Sequence, residues 1–169
     1  MRLEPAPPPL YVAVVGASAA TAADLADAEA VGAQLARAGA VVVCGGRGGV
    51  MEGAAKGSAQ AGGTVIGILP GLDRREANPW VTHAIPTGVG ELRNGLIVRI
   101  AEAVIAVGGA YGTLSEIALA LATGLRVFGL HTWAIEGIQA VASPDDAVAA
   151  ALAAAGARRG SDLTRLGLP

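Results

Sequence analysis

The sequence predicts an α/β fold, a doubly wound and mainly parallel sheet in a single domain. Three observations carry that expectation. Short apolar runs of strand length alternate with Ala-rich segments of helical length along most of the chain. Glycine-rich turns follow several of those runs, as they do where strands of a parallel sheet hand over to helices. Hydrophobic residues make up 53 % of the 169 and charged residues only 15 %, the balance of a sheet buried on both faces.

The first nine residues, Met1 to Pro9, form a proline-rich tract expected to be an extended, poorly ordered arm ahead of a domain spanning residues 10–169. Leu10 to Val15 is a strand candidate that ends at Gly16-Ala17-Ser18. A helix from about Thr21 to Ala38 follows, with Thr21 and Asp24 as its N-terminal cap. Val41 to Cys44 is the second strand, leading through Gly45-Gly46-Arg47-Gly48-Gly49 into a helix from about Val50 to Ala61. Thr64 to Leu69 is the third. From Leu72 to Gly88 the pattern breaks into a polar, turn-rich stretch, long enough for a functional loop.

A helix from about Gly90 to Glu102 then leads to the fourth strand, Ala103 to Val107. Gly108-Gly109-Ala110-Tyr111-Gly112-Thr113 turns into an apolar helix that begins near Thr113 and ends near Gly124. Arg126 to Leu130 is the fifth strand, and Pro144 to Ala155 the last helix, leaving a tail from Gly156 unassigned. With right-handed crossovers the expected strand order is 3-2-1-4-5. That order sets Gly16 and Ser18 opposite Gly108, Gly109, Gly112 and Thr113, with Gly45 and Gly46 beside them. A helix N-terminus behind glycines offers free N–H groups to a phosphate.

Composition narrows the function classes. A net charge of −2 with no basic run gives no electrostatic footprint for nucleic acid, and 3 % aromatic residues give few stacking platforms. Cys44 is the only cysteine, which excludes an internal disulfide and a cysteine-based zinc site. His83 and His131 are isolated, so no metal is implied. No apolar run has membrane-spanning length without glycine or charge, and the N-terminus lacks a signal-peptide pattern, so the expected location is the cytoplasm. Neither G-x-G-x-x-G nor a Walker A pattern is present, which argues against dinucleotide and P-loop enzymes. Lys56 is the only lysine and lacks the context of a Schiff-base residue. Trp80 suits either a cover for a base or a subunit contact.

Two blocks in order carry a family resemblance. Gly45-Gly46-Arg47-Gly48-Gly49-Val50-Met51-Glu52-Gly53, followed by Ala61-Gly62-Gly63-Thr64-Val65-Ile66-Gly67-Ile68-Leu69-Pro70, resembles GGG-x-x-GLMG and AGG-x-VIG-x-x-P. Gly108-Gly109-Ala110-Tyr111-Gly112-Thr113-Leu114-Ser115-Glu116 resembles PGG-x-GT-x-x-E. These are blocks of the LOG family, formerly labelled possible lysine decarboxylases, whose characterised members are phosphoribohydrolases. The resemblance implies a Rossmann-like fold, a homodimer, no cofactor, and hydrolysis of the N-glycosidic bond of a nucleoside 5′-monophosphate. It also implies Arg93 and Glu116 as the catalytic pair and the glycines with Thr113 as phosphate ligands.

Three features depart from the characterised enzymes: Gly108-Gly109-Ala110 stands for Pro-Gly-Gly, Arg93-Asn94 for Arg-Lys, and the chain is short. They resemble a bacterial branch that is similar to molybdenum-cofactor carrier proteins, which hold a phosphorylated pterin without hydrolysing it. A carrier or sensor is therefore the alternative function. For the residues themselves a plainer role stays open: Thr113-Leu114-Ser115-Glu116 also has the form of a capping box, and Arg93 the form of a surface helix residue.

Overall fold

The computed structural model describes residues 7–165, apart from the side chains of Leu163 and Arg165. Its centre is a seven-stranded sheet of β1 (Tyr11–Gly16), β2 (Val41–Cys44), β3 (Val65–Leu69), β4 (His83–Pro86), β5 (Ala103–Val107), β6 (Val127–Leu130) and β7 (Ile138–Ala140). All neighbours are parallel, in the order β4-β3-β2-β1-β5-β6-β7. The expected order of the five apolar strands is found as β3-β2-β1-β5-β6. Winding reverses between β1 and β5, whose carboxyl ends, Gly16 and Val107, pair directly.

Strand alternation sends side chains to two cores. Val12, Val14, Ile105 and Val107 pack with α1 (Ala22–Arg37), α2 (Val50–Gln60) and α5 (Pro144–Arg165). Ala13, Val15, Val104 and Ala106 face α3 (Asn94–Ile100) and α4 (Tyr111–Ala122) on the other side. A strand with helices on both faces can be apolar at every position, and all five residues of β5 are buried. Helix α4 buries Thr113, Glu116, Ile117 and Ala120, the i, i+3, i+4, i+7 stripe of one helical face.

Four expectations change. The segment from Leu72 to Gly88 contains β4, paired with β3 from Ile66↔His83 to Leu69↔Pro86. Its side chains alternate exposed and half-buried, as an edge strand's do, so no apolar run marks it. The three-residue β7 closes the opposite edge. The helix expected from Gly90 begins as a 3-10 turn, Gly90–Arg93, before α3. The last helix continues through the unassigned tail to Arg165.

Arg159, on that extension, ties the molecule's base together. Its guanidinium donates to Glu102 Oε1 at 2.6 Å and to the carbonyls of Pro8 and Pro9, while Glu102 Oε2 accepts from the Tyr11 N–H at 2.8 Å. Residues 1–6 of the proline-rich arm lie outside the described residues. Among the described residues, no helix is long and apolar enough to cross a membrane.

Candidate functional site

The cleft lies at the carboxyl ends of β1 and β5, where the winding reverses and open α/β sheets collect ligands. β5 runs into Gly108 and Gly109, at φ 55° and 147°. Glycine alone adopts these angles freely, and the turn delivers the chain into α4 with Ala110 as its N-cap. The helix thus starts two residues before Thr113. Thr113 is its third residue, and its hydroxyl accepts from the Ala110 N–H at 3.4 Å. Glu116 is therefore no cap partner of Thr113, and the capping-box role is corrected: Glu116 sits a turn further on, in the buried stripe.

No side chain caps α4 by hydrogen bond and no acidic residue occupies its first turn. The N–H groups of Tyr111, Gly112 and Thr113 are left pointing out of the helix start, a concentration of partial positive charge. Beside Gly112 and Thr113 lies a niche of about 110 Å³, lined also by Gly16, Ala17, Ser18, Met51, Glu91, Arg93, Asn94, Ala110 and Glu116.

Arg93 and Glu116 meet on its floor, with Nη1 and Oε1 3.7 Å apart and both side chains about nine-tenths buried. Arg93 is thus a buried residue of the site and not a surface residue. Its Nη1 donates to Asn94 Oδ1, whose amide in turn donates to Ser115 Oγ at 3.0 Å, and Ser115 donates to the Gly112 carbonyl at 2.7 Å. That chain of bonds locks α3 to the first turn of α4. Arg93 Nε remains a buried donor with no partner among the described residues. Such groups are rare in folded proteins and mark a place for a ligand or water. Burial pushes the Glu116 carboxyl up to about 7, against the pull of Arg93 and with a further push from Glu91.

The predicted residues divide by position. Gly16, Ser18, Arg93, Gly112, Thr113 and Glu116 line one niche. Gly45 backs it, since a Cβ there would stand 2.8 Å from Arg93 Nη2. Gly46 faces away, towards Gly67 and Leu69. Gly108 and Gly109 line an adjoining cleft of about 490 Å³ with Asp24 and His131. Cys44 is buried and its thiol pushed up to about 11 by burial, so it is no nucleophile at neutral pH. Lys56 pairs with Glu29 at 3.0 Å and stands off the niche. Among the described residues no group of three His, Cys, Asp or Glu side chains could hold a metal ion.

Sequence reasoning passed over Asn94, Ser115 and Met51 as site residues. Asn94 and Ser115 carried a signal all the same, being polar residues in the first turns of two mostly apolar helices.

Together, fold and site define a Rossmann-like α/β protein with a candidate small-molecule cleft at its topological switch point. The chain belongs to the SLOG cluster4 family, whose model matches residues 9–156. The wider SLOG superfamily includes LOG. An uncharacterised protein of Archaeoglobus fulgidus is 41 % identical over 140 residues, covering 82 % of this chain and 92 % of its own.

Among solved structures, the molybdenum cofactor binding protein of Rippkaea orientalis is similar at 33 % identity and TM-score 0.82, over 86 % of this chain and 97 % of that one. The Moco carrier protein of Chlamydomonas reinhardtii is similar at 31 % identity and TM-score 0.81, over 89 % and 99 %.

Proposed function

We propose that this protein binds a phosphorylated small molecule with its phosphate on the α4 N-terminus, and that it holds this cargo without hydrolysing it. The molybdenum cofactor, a phosphorylated pterin, is the ligand the reading favours. One observation carries it: uncapped N–H groups of Tyr111, Gly112 and Thr113 stand beside Arg93, a buried cation with an orphaned N–H. An anion in the niche would meet the N–H groups of Gly112 and Thr113 and the positive charge of Arg93. The similarity to proteins described as molybdenum cofactor binding and as a Moco carrier, over nearly their whole lengths, supports the cargo.

A second reading, hydrolysis of nucleoside 5′-monophosphates, is favoured by the Arg93 and Glu116 pair. A carboxyl titrating at about 7 is poised for proton transfer at neutral pH. Departure of the base leaves positive charge on the ribose, which the carboxylate form would stabilise.

One experiment separates the two. Protein incubated with molybdenum cofactor under anaerobic conditions is passed over a desalting column and assayed for pterin and molybdenum, and a nucleotide panel is assayed for free base. Retained cargo with no base release is expected. Base release that disappears in a folded Glu116→Gln variant would replace the carrier by the hydrolase.

We also propose a homodimer through the outer face of α3 and α4. Leu92, Leu96, Ile100 and Leu119 are exposed there, and an apolar groove lined by Leu92, Tyr111 and Leu119 runs along it.

A further inference from the structure

The niche at the start of α4 brings one cation and two carboxyls into about 110 Å³. Arg93 and Glu116 are the buried pair, and Glu91 stands at the exposed rim. Arg93 Nη1 lies 3.7 Å from Glu116 Oε1, too far for a hydrogen bond. It donates instead to Asn94 Oδ1, a neutral acceptor. The Glu116 carboxyl thus accepts no hydrogen bond among the described residues, although it is about nine-tenths buried.

The elements packed around that carboxyl bring few charges. The turn Gly90–Arg93 supplies Glu91 and Arg93, and β2 supplies Cys44, whose thiol stays protonated at neutral pH. The loop after β1, α2 and α3 present neutral residues there, Ser18, Met51 and Asn94. An anion resting against Gly112 and Thr113 shares this small space with Glu116. A carboxylate and a fully ionised oxyanion both only accept hydrogen bonds, so they repel each other and form no bond. One proton on Glu116 removes the repulsion and gives the carboxyl an O–H that donates to the anion. The charge of Arg93 is then left to the anion.

We propose that the niche binds its anion together with one proton, which passes from solvent to the Glu116 carboxyl. Binding is thereby coupled to pH: acid favours loading, and a rise in pH favours release. The proposal rests on the reading that the niche takes the ligand's phosphate, and it adds the condition under which that phosphate is held. Burial raises Glu116 to about 7, so the coupling operates around neutral pH.

Calorimetric titration of the full chain with sulfate at fixed ionic strength tests it. Sulfate keeps its double charge across the range, whereas a phosphate monoester gains a proton at about pH 6. A group that ionises at about 7 and must be protonated in the complex makes affinity about tenfold weaker at pH 8 than at pH 6. Heats measured in two buffers of different ionisation enthalpy should show about one proton taken up per sulfate at pH 8 and almost none at pH 6. Glu116→Gln, neutral at every pH, should lose both the pH dependence and the proton uptake, and should bind sulfate more tightly than the wild type at pH 8. Glu91→Gln should keep both.

A sulfate affinity that does not change with pH would overturn the coupling and leave the phosphate reading standing. A pH dependence that persists in Glu116→Gln would belong to another group and would also overturn it. Loss of that dependence in Glu91→Gln would assign the proton to the rim carboxyl, and persistence in both variants to a group such as His131, which pairs with Asp27 at 3.4 Å. Absence of sulfate binding at every pH in wild type and variants alike would overturn the proposal and the phosphate reading together.

Discussion

At the scale of single residues, the buried carboxyl of Glu116 has the clearest consequence. Its ordinary value is 4.5, and burial raises it to about 7 in the fold. Between those two values the folded protein keeps a proton that the unfolded chain has released, so stability falls as pH rises through that window. Below it both states are protonated and the difference vanishes. Above it the full penalty stands, on the order of 3 kcal/mol. Gln mimics the protonated acid, so Glu116→Gln should match the wild type near pH 4.5 and melt at a higher temperature than the wild type near pH 8. Thermal melts across that range check it, and parallel profiles for the two proteins would contradict the buried titration.

Arg93 and Glu116 were singled out through the spacing of the family motif they resemble, and Thr113 through the glycine turn before it, because both are patterns along the chain. The bond between Asn94 and Ser115 was not legible: the two are 21 positions apart, and only the packing of α3 against α4 joins them.

At the scale of elements, close packing of α1 on α2 sets the geometry behind the niche. A Cβ added to Gly57 would fall 1.9 Å from the Glu29 carbonyl oxygen, a backbone atom that has no rotamer to escape through. Alanine is the better helix former by about 1 kcal/mol, yet overpacking typically costs about 1–3 kcal/mol. Gly57→Ala should therefore lower stability, whereas Gly156→Ala in α5, where a Cβ meets nothing within 4 Å, should raise it by up to about 1 kcal/mol. Urea midpoints of the two variants against the wild type decide the matter. A stabilised Gly57→Ala would mean that the crossing can relax.

The same scale explains which elements the sequence disclosed. Central strands such as Val41 to Cys44 and Ala103 to Val107 are apolar throughout because helices cover both faces. The edge strands β4 and β7 have one open side and mix polar with apolar residues, so they read as loop. The start of α4 was misplaced by two residues because Gly108 and Gly109 had already made the turn that Thr113 was expected to make.

At the scale of the whole molecule, the two faces of the sheet are unequally covered. Three helices bury one core, while α3 and α4 alone cover the other and leave Leu96, Ile100 and Leu119 exposed, together with Leu92 of the preceding 3-10 turn. Scattered apolar residues are normal on a monomer, but Leu92 and Leu119 line one groove and Leu96 and Ile100 are exposed on α3, the form of a surface that a second copy covers. A twofold contact would set α3 and α4 against their counterparts, next to the uncapped start of α4, so assembly would also narrow the ligand's path to solvent. Leu96 and Leu119 are each less than half exposed and lie outside the niche, which makes them suitable reporters. Leu96→Asp with Leu119→Asp should give a folded monomer in sedimentation velocity where the wild type gives a dimer, because a charge buried without a partner at an interface is strongly unfavourable. A wild type that sediments as a monomer at tens of micromolar would remove the dimer. A double variant that remains dimeric would move the contact to another face.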